Sequence, residues 1–296
     1  MLNQFFSLPE NLSAQVTSNL DLDFGPENNM LLQAYVPGAN SVPDQIDEPD
    51  IQIIHQESEE RKLVHEGTNI TIYDQWRGKI SFDIYHLLYS ASRVKLLEKN
   101  MYPVHSSCVE SNGGHLLIIG HSGSGKTTTA LELVKNDDAK FSSGNKTVVA
   151  FDGASMRMIA GTPTVTIRQS DLAKYDSIIA NCIPYYNRLA FHLNLEKYTQ
   201  LFRGEIRAVV LLRLHDGLND FTTLNPSSAL HTLYPYFLDT VNADTIVCNG
   251  NGVFVGTPPI GSQERLVKRL QHSLQYIPVY SVTGPMSFVT NVISKL

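Results

Sequence analysis

Eight consecutive residues, Gly120-His-Ser-Gly-Ser-Gly-Lys-Thr127, match the phosphate-binding pattern G-x-x-x-x-G-K-[ST] at every required position. Glycines of this kind let the backbone turn tightly, so that several N–H groups converge on one anion. Lys126 then reaches the β- and γ-phosphates of a nucleotide, and the Thr127 hydroxyl binds Mg²⁺. The sequence therefore predicts a site for ATP and Mg²⁺. Its predicted nucleotide-binding residues are Gly120, Ser122, Gly123, Ser124, Gly125, Lys126, Thr127 and Thr128.

The elements on either side of this P-loop agree with that chemistry. Apolar residues predict a buried strand over His115–Ile119 and a helix over Thr127–Lys135. A helix that begins at the loop turns its N-terminus, with its free N–H groups, toward the phosphates. The turn Ser111–Gly114 predicts a hairpin that pairs the preceding strand, His105–Glu110, antiparallel with the P-loop strand.

Asp152 is the first candidate for a catalytic partner. It ends the apolar strand Lys146–Asp152, 26 residues after Lys126. A carboxylate in this place could bind Mg²⁺ or accept the proton of an attacking hydroxyl. The alternative is an aspartate that caps the turn before Gly153.

Three further residues carry charge or a titratable ring near predicted strand ends. His105 begins the strand beside the P-loop strand, although a lone histidine is more often structural. Arg168 and Arg213 each end a strand-like run, where an arginine stabilises transferring phosphate charge or simply faces water. The histidines His115, His121 and His192 show no metal-ligand spacing.

Composition limits the classes of protein that fit. The chain has 296 residues, 42% of them hydrophobic, which suffices for one large core or two smaller ones. Three scattered cysteines without a C-x-x-C pair favour a reducing cytosol. The N-terminus lacks the features of a signal peptide, and no apolar run reaches membrane-span length. We expect a cytoplasmic protein with no membrane partner, and the net charge of −6 disfavours nucleic acid.

The charge is unevenly distributed. Residues 1–60 contain eleven Asp or Glu and no Lys or Arg, whereas the remainder carries 23 basic and 18 acidic residues. This asymmetry suggests two segments with different roles. We expect a smaller, acidic and β-rich N-terminal region over 1–100, which could be a substrate-docking or accessory domain, and a nucleotide-binding kinase core over 101–296. A solvated acidic face without a partner is equally compatible, and a homo-oligomer is left open.

Periodicity and turn residues predict strands that alternate with helices in a mixed α/β fold. The predicted strands are Leu31–Val36, Ile51–His55, Thr68–Tyr73, Thr162–Arg168, Leu189–Leu195, Ile206–His215 and Val279–Val282, with a hairpin over Thr245–Val255. The predicted helices are Asp83–Lys99, Asn225–Thr240, one that begins at Ser262, and Phe288–Leu296. The segments Asn136–Asn145 and Tyr73–Lys79 read as a polar loop and a turn.

Several nucleotide-dependent classes lack their motifs in this chain. The guanine-recognition patterns N-K-x-D and T-K-x-D are missing, as is the L-S-G-G-Q stretch of ABC transporter ATPases. The H-R-D and D-F-G motifs of protein kinases are missing too.

The stretch from His105 to Lys135 resembles the bacterial HPr kinase/phosphorylase family, which has a histidine on a strand, a glycine turn, an apolar strand and a P-loop. The resemblance covers about residues 105–156. It implies a mixed-sheet kinase core related to PEP carboxykinase, in which His105 and Asp152 serve phosphoryl transfer. The second acid of the family's aspartate pair is replaced here, and the E-I-R-G-L-G signature is missing.

These features predict an ATP-dependent kinase that acts on a hydroxyl, with Asp152, His105 and Lys126 as catalytic residues and with Thr127 and Asp152 as metal ligands. The acceptor would be a Ser or Thr of a peptide or a small hydroxylated metabolite. The alternatives are a nucleotide-binding regulatory module and an ATPase without transferase activity.

Overall fold

The protein's computed structural model describes residues 1–20, 22, 26–75, 82–136, 139–179, 181–185, 190–194, 203–241, 244–248 and 251–296. The predicted turns at 73–79 and around 249–252 lie partly outside these residues. No helix among the described residues is long and apolar enough to cross a membrane.

The N-terminal part of the chain builds a mixed sheet and two helices. Its elements are β1 (Leu2–Ser7), β2 (Ser13–Ser18), α1 (Pro26–Tyr35), β3 (Asn40–Val42), β4 (Ile51–Glu57), β5 (Lys62–Glu66), β6 (Asn69–Asp74) and α2 (Phe82–Glu98). The strand order is β3-β1-β2-β4-β6-β5, with β4 parallel to both of its neighbours. Alternating apolar residues turn one face of this sheet inward. The resulting N-terminal cluster includes Phe6, Leu32, Ile53, Ile72, Leu88 and Leu96.

The rest of the chain forms a larger mixed sheet, smaller sheets and four helices among the described residues. Its elements are β7 (Met101–His105), β8 (Ser107–Ser111), β9 (Gly114–Ile119), α3 (Lys126–Asn136), β10 (Lys140–Ser143), β11 (Lys146–Asp152), β12 (Ser155–Gly161), β13 (Thr164–Arg168), β14 (Asn181–Tyr185), β15 (Ala190–Asn194), β16 (Gly204–Leu214), β17 (Asp220–Leu224), α4 (Pro226–Val241), β18 (Asp244–Cys248), β19 (Asn251–Val255), α5 (Ser262–Ser273), β20 (Val279–Gly284) and α6 (Met286–Ile293).

The P-loop strand β9 lies in the middle of the larger sheet and is buried along its whole length. It pairs antiparallel with β8 and parallel with β16, which confirms the predicted hairpin. Asn112 and Gly113 in the turn both have positive φ, as a tight two-residue hairpin turn requires. The sheet continues through β12, β11 and β7 on one side, and β20 and β17 also join it through β16.

Two strand pairs break at the same place beside the P-loop. The predicted strand His105–Glu110 is interrupted at Ser106 into β7 and β8, and Gly144 and Asn145 separate β10 from β11. The breaks are bonded to each other, since Ser106 N donates to Asn145 O at 3.1 Å. Ser107 Oγ donates to Gly144 O at 3.2 Å. The paired breaks therefore form one wall next to the P-loop.

Two predicted elements are wrong. The segment predicted as strand Leu31–Val36 lies mostly in helix α1, because Pro26 suits the first helical turn and Met, Leu, Gln and Ala favour helix. The segment predicted as the polar loop Asn136–Asn145 contains β10, which pairs antiparallel with β8. Backbone pairing with a neighbouring strand outweighs the weak strand preference of Lys and Ser there.

Candidate nucleotide-binding site

The P-loop joins the end of β9 to the start of α3 and has the backbone that its glycines permit. Gly123 and Gly125 have φ of 78° and 95°, values that other residues rarely adopt. A Cβ on Gly120 would lie 2.5 Å from the carbonyl oxygen of Leu212, so a side chain does not fit there. The loop is anchored to β16, because Leu214 N donates to Ser124 O at 3.1 Å.

Lys126 is buried and folded back onto its own loop. Its Nζ donates to the carbonyl oxygens of Gly120 at 2.8 Å and His121 at 3.0 Å. Burial lowers the pKa of Lys126 to about 8, so the ammonium is still charged at pH 7. To reach a phosphate, Nζ must exchange these carbonyl bonds for phosphate oxygens.

A cavity of about 440 Å³ opens over the P-loop. Its volume falls within the range of roughly 300–1,000 Å³ found for small-molecule sites. It is lined by His105, Ser122, Gly123, Gly125, Lys126, Thr127, Thr128, Gly144, Asn145, Thr166, Ile167, Arg168, Asp171, Tyr175 and Leu214. Most predicted nucleotide-binding residues therefore line one cavity, whereas Gly120 and Ser124 are not among its lining residues.

The structure brings His105 to this cavity. It lies at the end of β7, opposite Lys146 in the strand register, and is hydrogen-bonded to Asn145. Although His105 is partly exposed, desolvation by the surrounding protein, together with the charges of Lys126 and Lys146, lowers its pKa to about 4. At pH 7 the ring is therefore neutral, and it can accept a hydrogen bond from a hydroxyl.

Gly144 and Asn145, which sequence reasoning missed, form the wall between His105 and the P-loop. Thr127 Oγ1 donates to Gly144 O at 3.0 Å. Asn145 Nδ2 donates to the carbonyl oxygen of Ala34 in α1 at 2.9 Å, so the N-terminal region supports the cavity wall. The sequence signal for this wall was the Gly-Asn pair between two strand-like runs.

Another part of the cavity lining comes from β13 and the 3-10 segment Gln169–Tyr175 that follows it. Arg168, predicted as a phosphate-binding candidate, faces the cavity from the end of β13. Asp171 and Tyr175 were not predicted. Burial raises the pKa of Tyr175, so its hydroxyl stays neutral.

Asp152 does not lie with the other predicted residues. Asn145, which directly precedes β11, lines the cavity, whereas Asp152 is the last residue of that strand. At about 3.3 Å per residue, the seven steps between them span about 23 Å. The inference that Asp152 faces the P-loop failed because β11 runs away from the cavity. Asp152 therefore has no geometric support as a catalytic residue or metal ligand.

Arg213 also lies outside the cavity. It is exposed on β16, next to Leu214, which does line the cavity. Successive side chains of a strand point to opposite faces, so one of these neighbours faces the P-loop and the other faces away. Of the two predicted arginines, the structure brings only Arg168 to the site.

No family model matches the chain, and no curated protein sequence matches it. Among solved structures, the chain is similar to the HPr(Ser) kinase/phosphatase from Coxiella burnetii, with 12% sequence identity and a TM-score of 0.30. The match covers 66% of this chain and 92% of that protein. A TM-score this low identifies neither the fold nor the activity of this chain.

Proposed function

We propose that the protein is an ATP-dependent kinase that transfers the γ-phosphoryl group to a hydroxyl of a peptide Ser or Thr or of a small metabolite. The observation that supports this proposal is the shared cavity. It is lined by residues of a complete P-loop, a neutral histidine and an arginine. Phosphoryl transfer depends mainly on positioning and charge stabilisation, which such a set of groups provides.

In this proposal each residue has a defined task. The P-loop N–H groups and the Lys126 ammonium bind the β- and γ-phosphates, and Arg168 neutralises charge on the transferring group. His105 orients the acceptor hydroxyl by accepting a hydrogen bond from it. The hydroxyl oxygen forms the new P–O bond as the bond to the ADP oxygen breaks, and the hydroxyl proton is released to water. The residues present fit a Mg²⁺ ion, because Thr127 offers the hydroxyl oxygen that hard cations prefer. When bound, that ion neutralises phosphate charge.

Intact-mass measurement tests the proposal. The full chain is incubated with ATP, Mg²⁺ and a panel of hydroxylated metabolites and peptides, and an acceptor should gain the mass of one phosphoryl group. Lys126→Met, which removes the charge from the phosphate site, should abolish the gain while the protein remains folded. A gain that persists in Lys126→Met would contradict the proposed site.

The position of Asp152 favours a second candidate, a nucleotide-binding regulatory module or an ATPase without transferase activity. The carboxylate that the kinase prediction relied on lies at the far end of β11. Nucleotide binding without phosphoryl transfer to any member of the panel would favour the regulatory module. ADP release that does not require an acceptor would favour the ATPase.

The acceptor and the cellular setting are also proposals. The acidic region formed by residues 1–60 would attract a basic peptide, so the panel includes peptides rich in Lys and Arg. Phosphorylation confined to neutral metabolites would contradict peptide docking. We place the protein in the cytoplasm, where ATP is available, with neither nucleic acid nor a membrane as its partner.

A further inference from the structure

The cavity contains a carboxylate that the P-loop pattern does not account for. After β13 ends at Arg168, the 3-10 segment Gln169–Tyr175 places Asp171 on the cavity wall. Among the described residues that line the cavity, Asp171 is the one with a carboxylate. The cations Lys126 and Arg168 line the same cavity.

A carboxylate in a cavity that binds phosphate repels the phosphate, and a divalent cation between the two groups removes this repulsion. Like charges repel, and the repulsion between Asp171 and a triphosphate is strengthened where water is partly excluded. Mg²⁺ typically binds through one or two carboxylates together with phosphate oxygens and water. A cation between Asp171 and the phosphates would turn repulsion into attraction.

Asp171 forms an ion pair with a lysine ammonium that a metal ion can replace. Its Oδ1 lies 2.8 Å from Nζ of Lys174, with 38% and 64% of the two side chains exposed. The hydrogen bond and charge of Asp171 raise the pKa of Lys174, so the ammonium is firmly charged. An exposed pair of this kind contributes little to stability because water screens it, so a divalent ion can displace the lysine at small cost.

We infer that Asp171 coordinates, directly or through a water molecule, the divalent cation that accompanies the nucleotide. In the metal-free protein Lys174 forms an ion pair with that carboxylate, and binding of the metal releases the lysine. Asp171 thus takes the metal-binding role that the sequence assigned to Asp152. The inference rests on the proposed function, because it requires a nucleotide at the P-loop.

Calorimetry on the full chain tests this assignment without measuring catalysis. The affinity for a non-hydrolysable ATP analogue is measured in EDTA and in Mg²⁺, and Mn²⁺ binding to the analogue complex is followed by electron paramagnetic resonance. Asp171→Asn should reduce the metal-dependent gain in affinity by about tenfold or more, as loss of groups that support a metal site does. Its affinity in EDTA should be unchanged or tighter, because a repulsive charge is gone.

Two further variants separate metal binding from loss of the ion pair. Lys174→Met breaks the same pair but keeps the carboxylate, so the metal-dependent gain should rise. Asp176→Asn removes an exposed acid from just beyond the same segment and should leave the gain unchanged. A reduced gain in both Asp171→Asn and Lys174→Met would indicate a structural role for the pair and overturn the inference.

The remaining outcomes distinguish this inference from the proposed function. If the wild-type chain binds the analogue and Asp171→Asn keeps the full metal-dependent gain, the role of Asp171 is wrong and nucleotide binding stands. If Asp152→Asn instead loses the metal-dependent gain in affinity, Asp152 and not Asp171 has the metal-binding role. If the wild-type chain binds no nucleotide with or without metal, the proposed function fails, and this inference fails with it.

Discussion

Lys126 and His105 differ in charge at pH 7 although desolvation lowers both pKa values. The pKa of Lys126 falls to about 8 and that of His105 to about 4. The cavity therefore presents an ammonium beside a neutral imidazole. This combination suits a site that must attract phosphate while it leaves a hydrogen-bond acceptor free for a hydroxyl.

The lowered pKa of Lys126 predicts a pH dependence for nucleotide binding. Below about pH 8 the ammonium is charged and attracts phosphate, whereas above it the amine is increasingly neutral and the attraction is lost. The association constant for the ATP analogue in EDTA should therefore fall above pH 8, approaching about tenfold per pH unit. Calorimetry between pH 7 and 9.5 measures this decline.

Lys126→Arg is the matched control for that titration. A guanidinium stays charged across this range, so the variant should bind more weakly in absolute terms but show a nearly flat profile. A wild-type profile as flat as that of Lys126→Arg would show that Lys126 does not titrate near pH 8.

At the level of residues, local motifs could be predicted and spatial neighbours could not. The P-loop is predictable because its glycines dictate their own backbone over eight positions. Asp171 and Asn145 come to the cavity through sheet pairing, which sequence spacing does not reveal. Asp152 was misplaced because the direction of β11, not its distance along the chain, decides which end meets the P-loop.

Among the elements, α4 shows how a short sequence signal defines a boundary. Asn225 was predicted as its cap, and Ser228 N donates to Asn225 Oδ1 at 2.9 Å. Asn225→Ala should lower the free energy of unfolding by about 1 kcal/mol, because an N–H at the helix start loses its partner. Urea denaturation followed by circular dichroism measures the change.

A threonine further along α4 provides the control. Thr232 Oγ1 donates to Ser228 O at 2.8 Å, a back-bond within the helix that adds little to its stability. Thr232→Ala should therefore change the free energy of unfolding by less than Asn225→Ala does. Equal losses in the two variants would mean that the cap contributes nothing specific.

The elements that sequence reasoning identified share strong periodicity or clear caps. Helix α2 has an apolar stripe and β16 an apolar run, and both lie close to the predicted bounds. Segments α1 and β10 lack such a signal. Their structures depend on neighbours far along the chain, as in the pairing of Phe141 with Val109.

For the whole molecule, α2 connects parts that the sequence divides at residue 100. Leu96 packs in the N-terminal cluster, and Leu97, the next residue, packs in the cluster around the central sheet. Arg93, which is 1% exposed, extends from the same helix toward the C-terminal end of α4. The predicted regions 1–100 and 101–296 therefore share a packed boundary.

Substitution of Arg93 tests how strongly the contacts at this boundary couple the unfolding of the two regions. Its guanidinium donates to the carbonyl oxygens of Thr240 at 3.2 Å, Val241 at 3.1 Å and Gly256 at 3.1 Å. Arg93→Met keeps much of the side-chain volume but leaves these buried acceptors without that donor. Each unsatisfied group costs about 1–3 kcal/mol, so the variant should lose at least that much free energy of unfolding.

The substitution should also change the number of transitions in the urea unfolding curve. The wild-type chain should unfold in a single urea transition, because α2 belongs to both clusters, whereas Arg93→Met should separate the transition of the N-terminal region from that of the core. Arg93→Lys keeps the charge with fewer donors and should fall between the two. A stable Arg93→Met with one unchanged transition would show that the apolar contacts of α2 alone join the regions. In that case the hydrogen bond from Asn145 to the carbonyl oxygen of Ala34 would still join the N-terminal region to the cavity wall.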